Sequence, residues 1–166
     1  MYRLYLLRHA EASHATAGAH DFDRVLSDRG WQDGVELGRA MKTAGYLPSS
    51  VLCSSAVRAS QTWEAVRQGL EALSIEVSYL PELYRGDAAD CRILIMTSPV
   101  ESSLLVIGHN PAIQELAHLL LRGSEARMAA SAGFAPGTLA VLDFPEPLQN
   151  LAPRTGTLVA VLSPRK

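Results

Sequence analysis

The chain of 166 residues is 48% hydrophobic and 19% charged, enough for one buried core and too short for two ordinary domains, so a single domain over 1–166 is expected. A net charge of -2 with no basic run or tail argues against nucleic-acid or membrane partners, leaving any phosphate binding to a local cluster. Cys53 and Cys91 make neither a disulfide framework nor a zinc pattern, and neither an export signal nor a membrane-length apolar run is present, so a cytoplasmic protein is expected.

In chain order, Tyr5-Leu6-Leu7-Arg8-His9-Ala10 is a run of mostly apolar residues that stops at an arginine and a histidine. It reads as an interior parallel strand, and such strands carry ligands beyond their carboxyl ends. Residues 11–25, rich in Ala, His, Asp and Gly, suit a loop crossing the mouth of a site. Within it Asp21, Asp23 and Arg24 read as solvated charges, with Arg24 the one to test as an entrance residue, and His14 and His20 as exposed side chains without a metal-ligand set. Ser27 caps a helix to about residue 44, with a core stripe of Trp31, Val35, Gly38 and Met41 and Gly45 as the stop.

A short strand at 50–53 leads to Arg58 in the first turn of a second helix, which runs to about residue 73 with Thr62, Val66, Leu70 and Leu73 inward. Ile75, Val77 and Tyr79 alternate as a half-buried third strand, ended by Pro81-Glu82-Leu83-Tyr84, and a short helix is expected over 87–97. Ser103-Leu104-Leu105-Val106-Ile107-Gly108 is the clearest buried strand and stops at His109. Asn110 as cap and Pro111 at the first helical position open a helix through Leu121, closed by Gly123, with His118 at the edge of its buried stripe. Residues 139–144 and 157–162 form two strands without a helix between them, which pair antiparallel. The expected fold is an α/β three-layer sandwich with a mostly parallel central sheet and an antiparallel C-terminal edge.

Right-handed crossovers put the strand-to-helix loops of such a sheet on one edge. Arg8 and His9, Arg58, Glu82 and His109 all lie in those loops. Two arginines and two histidines make a compact site for a phosphoryl dianion. A neutral His9 is placed to attack phosphorus as nucleophile, with Arg8, Arg58 and His109 taking up the charge and water completing the hydrolysis. Glu82 is the candidate general acid. No metal or other cofactor is called for, and no acidic cluster is available to hold one. An arginine in a helix's first turn is unfavourable unless an anion sits there, which supports a binding role for Arg58.

The motifs Leu7-Arg8-His9-Ala10, Cys53-Ser54-Ser55-Ala56-Val57-Arg58-Ala59-Ser60-Gln61-Thr62, Pro81-Glu82-Leu83 and Ile107-Gly108-His109-Asn110-Pro111, in this order, resemble the histidine phosphatase superfamily. Nearly the whole chain, including Asp23-Arg24-x-Leu26-Ser27-x-Arg29-Gly30, resembles its small SixA-type phosphohistidine phosphatases. The resemblance implies a covalent phosphohistidine at His9, a phosphate pocket of Arg8, Arg58 and His109, no metal, and a phosphorylated substrate such as a histidine phosphotransfer protein. Arg-His-Ala stands where many relatives have Arg-His-Gly, and the long insert of phosphoglycerate mutase-like relatives is absent.

Three alternatives stay open. One is a phosphatase of a small phosphorylated metabolite with the same mechanism. Another is a cysteine phosphatase built on Cys53, although only four residues separate it from Arg58 where that class uses five. The third is a non-catalytic phosphate-binding module. Oligomeric state is not encoded in any motif.

Overall fold

A computed structural model describes residues 1–72, 74–100 and 102–164. The elements are β1 (Tyr2–Arg8), a 3-10 turn (Asp21–Asp23), α1 (Asp28–Ala44), β2 (Ser50–Ser54), α2 (Val57–Leu70), β3 (Glu76–Leu80) and α3 (Glu82–Arg85). They continue with α4 (Ala88–Thr97), β4 (Ser103–Gly108), α5 (Ala112–Leu120), α6 (Gly123–Ala132), β5 (Leu139–Phe144), a second 3-10 turn (Leu148–Asn150) and β6 (Thr157–Leu162). The strands form one sheet in the order β3-β2-β4-β1-β5-β6. Its first four members run parallel, and β5 and β6 add the antiparallel edge.

The central strand β1 is apolar on both sides because both sides are covered. Leu4 and Leu6 pack with Ile95 of α4 and with Ile113 and Leu116 of α5. Tyr5 and Leu7, pointing the opposite way, pack with Met41 of α1 and with Trp63 and Val66 of α2. Burying each such leucine contributes about 1.5–3 kcal/mol, and the resulting three layers leave the carboxyl ends of β1, β2 and β4 along one edge of the sheet. None of the described helices is long and apolar enough to cross a membrane.

Helix α1 starts and stops where its caps predict: Ser27 Oγ accepts from the Gly30 amide at 3.0 Å, and Gly45 is left-handed at φ 77°. Its buried face differs from the expected one. Gly30, Gly34, Leu37, Gly38 and Met41 are buried, whereas Trp31 and Val35 are only half-buried. The reason is a close crossing with α2, in which a methyl group on Gly38 would collide with the Val66 carbonyl and one on Gly69 with the Val35 carbonyl. A contact face made of glycine leaves no apolar period to read.

Three boundaries also move. Helix α2 ends at Leu70, with Glu71 left-handed at φ 56°, and the expected inward position Leu73 lies outside the described residues. Asn110 Oδ1 accepts from the Gln114 amide at 3.2 Å, as a cap does, but Pro111 precedes the first helical residue of α5 rather than occupying it. That helix stops at Leu120, where Arg154 and Gly156 amides donate to the Leu119 and Leu120 carbonyls, and Gly123 opens the separate helix α6 instead of closing α5. His118 is exposed.

Candidate active site

His9 follows β1 directly and is 8% exposed. Its Nδ1 lies 2.7 Å from the Ala10 carbonyl oxygen. A carbonyl can only accept, so Nδ1 carries the ring proton and Nε2 is left with a lone pair. The Ala10 amide donates to Thr62 Oγ1 at 3.0 Å, and that hydroxyl donates to the Arg58 carbonyl at 2.7 Å, which fastens the loop after β1 to the first turns of α2.

Arg58 is the second residue of α2, whose N-cap Ala56 offers no side-chain cap. Its Nε donates toward His9 Nε2 at 3.3 Å. The outer edge of the guanidinium is held elsewhere: Nη1 donates to the Asp21 carbonyl at 2.8 Å and Nη2 to Asp21 Oδ2 at 3.0 Å. Arg8 is likewise tied at its outer end, with Nη1 donating to the Phe134 carbonyl at 2.9 Å, and its Nε is buried without a partner among the described residues. Asn110 Nδ2 donates to the same carbonyl at 3.1 Å, so α5 and the segment after α6 jointly fix Arg8. Burial, and after it the charge of Arg58, lower the Arg8 pKa.

His109 follows β4, with its ring centroid 5.1 Å from that of His9. Its Nε2 is 2.8 Å from Ser54 Oγ, a hydroxyl that accepts from the Ala56 amide at 3.2 Å, and its Nδ1 is buried without a partner among the described residues. Burial lowers the His9 pKa to about 4, with Arg58 and Arg8 adding to the effect, and lowers that of His109 to about 3, with His9 and Arg58 next. Both rings are therefore neutral at pH 7. Two cations, an imidazole lone pair that accepts only a long hydrogen bond from Arg58 and, among the described residues, two unpaired buried nitrogens suit an anion that accepts hydrogen bonds and can be attacked.

The structure brings Arg8, His9, Arg58 and His109 together and leaves Glu82 aside. Glu82 is exposed at the start of α3, beside a groove of about 360 Å³ that Arg85, Asp90, Ile93 and Leu94 also line. The chain turns into α3 directly after β3, so Leu83 is buried, Tyr84 meets His109 and Glu82 is exposed. Arg24 is no free entrance residue: its Nε donates to the Ser13 carbonyl at 3.0 Å and its Nη1 to Asp21 Oδ1 at 3.1 Å. Cys53 is fully buried, with a thiol pKa pushed far up by that burial, which overturns the cysteine-nucleophile alternative. His14 and His20 are exposed.

Asp21 is the residue that reading of the loop as solvated charge missed. Tyr84 donates to its Oδ2 at 2.8 Å, and the hydrogen bonds from Tyr84, Arg24 and Arg58 lower its carboxyl to about 2. Tyr84 stands between the cations and the second histidine, with Arg58 Cζ 5.8 Å from its ring centroid, His109 edge-on at 5.4 Å and Phe22 edge-on at 5.0 Å. The only sequence signal for this wall was the dense charge of Asp21, Asp23 and Arg24 in a loop already expected to cross the site.

Residues 4–92 match the family model of the histidine phosphatase superfamily (branch 1). The structure of a candidate phosphohistidine phosphatase SixA from Agrobacterium tumefaciens superposes with a TM-score of 0.84 at 30% identity, covering 98% of each chain. An uncharacterised protein of Mycobacterium leprae is 33% identical over 168 residues, 96% of this chain and 100% of that relative. An uncharacterised chloroplastic protein of Arabidopsis thaliana is 29% identical over 127 residues, 71% of this chain, and is longer, so that the match takes in 58% of its length.

Proposed function

This chain belongs to the histidine phosphatase superfamily and is a phosphatase, and we propose that it hydrolyses protein-borne phosphohistidine through a second phosphohistidine formed on its own His9. The observation that carries the reading is the His9 hydrogen bond to the Ala10 carbonyl, which keeps Nε2 unprotonated beside Arg58. In the first step the Nε2 lone pair forms a bond to phosphorus while the bond from phosphorus to the substrate nitrogen breaks, and that nitrogen takes a proton from solvent. In the second step water attacks phosphorus, the bond to Nε2 breaks, inorganic phosphate leaves and the water's proton passes to bulk solvent.

Arg8 and Arg58 balance the charge on the equatorial oxygens in both steps, with His109 as a neutral hydrogen-bonding group beside them. The reaction as proposed needs no metal, because guanidinium groups supply the positive charge. Among the described residues no group of three or more His, Cys, Asp or Glu side chains is placed to hold a metal ion. The substrate class follows from the acid. Asp21, the carboxylate touching Arg58, is ionised near neutral pH, and Glu82 is exposed. A phosphoramidate nitrogen leaves with less help than an alkoxide, and the relative from Agrobacterium tumefaciens is described as a candidate phosphohistidine phosphatase. The proposed partner is a histidine phosphotransfer protein in the cytoplasm, where Cys53 and Cys91 stay free.

The test offers wild type and His9→Ala a phosphohistidine-bearing phosphotransfer domain and a phosphate monoester, with and without a chelator. Wild type should clear the phosphohistidine preferentially, chelator should not matter, and His9→Ala should be inactive. Hydrolysis of the monoester alone, still through His9, would overturn the substrate and favour a small phosphorylated metabolite. Phosphate binding without any turnover would favour the binding module.

A further inference from the structure

The loop from residue 11 to residue 25 makes an unusual demand on Arg58. One residue, Asp21, occupies both terminal nitrogens of that guanidinium, one through its main-chain carbonyl and one through its carboxylate. The grip is itself braced, since Tyr84 donates to the same carboxylate oxygen and Arg24 to the other. Arg24 is anchored in turn to the Ser13 carbonyl. The Arg58 side chain is 8% exposed and that of Asp21 52%, so Asp21 covers the outer edge of the arginine and leaves Nε as the edge that meets His9.

We infer that Asp21 is a positioning residue, which sets the rotation of the Arg58 guanidinium so that Nε–H rather than a terminal nitrogen faces the atom transferred to His9. The inference rests on the phosphatase reading above and adds a residue to it. A guanidinium presents three edges, and a free arginine at this position could turn any of them inward. Phe134 does for Arg8 what Asp21 does for Arg58, through a carbonyl on Nη1. Two arginines tied at their outer ends, with Nε of Arg58 on His9 Nε2 and Nε of Arg8 without a partner among the described residues, form a rigid cradle, whose charge need not reorganise as the equatorial oxygens gain charge. Without the Asp21 carboxylate the cation remains, held at Nη1 by the main-chain carbonyl alone, and is free to turn.

Such a role weakens transition-state binding more than ground-state binding. In Asp21→Ala, kcat should fall by about tenfold to a hundredfold, the worth of a lost charge-assisted hydrogen bond, with KM changed much less. Vanadate, which becomes five-coordinate when joined to an imidazole, should lose affinity by a similar factor, and tetrahedral phosphate should lose less. Asp21→Asn, which keeps an acceptor for one N–H, should fall between. Tighter binding of both anions in Asp21→Ala would overturn the inference by making Asp21 an internal competitor for the site. Equal losses for both anions in step with a lower melting temperature would also overturn it, as would no change at all. Anion binding measured by calorimetry decides the matter without turnover, so a protein that binds both anions and hydrolyses nothing refutes the phosphatase reading while still testing Asp21.

Discussion

Acidification from pH 7 to pH 5 should destabilise this protein through two residues of the proposed active site. His9 and His109 have folded-state pKa values of about 4 and about 3 against the ordinary 6.5. A base whose pKa is depressed by folding binds its proton more readily in the unfolded chain, so stability is complete above the unfolded value and falls as pH drops through the window below 6.5. At pH 5 an unfolded histidine is almost fully protonated while either buried ring is almost fully neutral. Each therefore contributes about 2 kcal/mol of loss between the two pH values, and the pair about 4 kcal/mol. Asp21, at about 2, acts at lower pH and does not enter this window. With a urea slope of about 2 kcal/mol/M, the midpoint should fall by about 2 M. The assay is urea unfolding at pH 7 and pH 5 for wild type and for the His9→Gln/His109→Gln double variant, which should lose most of the pH dependence. An equal fall in the double variant would place the acid sensitivity outside the site and refute the reasoning.

Two further changes separate packing from chemistry. Gly38→Ala gains helix propensity but drives a methyl group into the Val66 carbonyl, and should cost about 1–3 kcal/mol net, read as a melting temperature lower by several degrees. Gly123→Ala, with open space around it, should be neutral or stabilising, and a loss as large as that at Gly38 would count against the helix crossing as the cause. Cys53→Ser should keep the catalytic rate of wild type at temperatures well below unfolding, with stability reduced by about 1–3 kcal/mol for a hydroxyl placed in the core; loss of kcat in the folded variant would reopen the thiol mechanism.

What could be read from the chain divides along physical lines. Strands β1, β2 and β4, ending at Arg8, Ser54 and Gly108, are built on runs of apolar residues, and burial on both sides of a parallel sheet writes that pattern into sequence. Once those ends are known, the crossover rule brings Arg8, His9, Arg58 and His109 to one edge without further information. The turn of α1 about its own axis could not be read, because Gly34 and Gly38 make contact by having no side chain. Helix α6 was hidden for a related reason: its small, alanine-rich residues give little apolar period, and the break before it comes from the loop at Arg154 and Gly156 capping α5. Asp21 depends on Arg58 and Tyr84, distant in sequence, and nothing in its own neighbours distinguishes a buttress from a solvated loop charge.

On the proposed reading, the contrast between Asp21 and Glu82 favours a nitrogen leaving group. A general acid must hold a proton at working pH and lie within reach of the departing atom. The hydrogen bonds that let Asp21 orient Arg58 are those that hold its carboxyl at about 2, so the better it positions the arginine the less it can donate. Glu82 is exposed beside a separate groove, while Leu83 is buried and Tyr84 meets His109, so Glu82 is not proposed as the acid. An alkoxide would leave unprotonated and carry the full penalty. The nitrogen of a phosphoramidate is basic enough to take its proton from water, so a site whose nearest carboxylate serves the arginine loses little on that substrate and much on an ordinary ester.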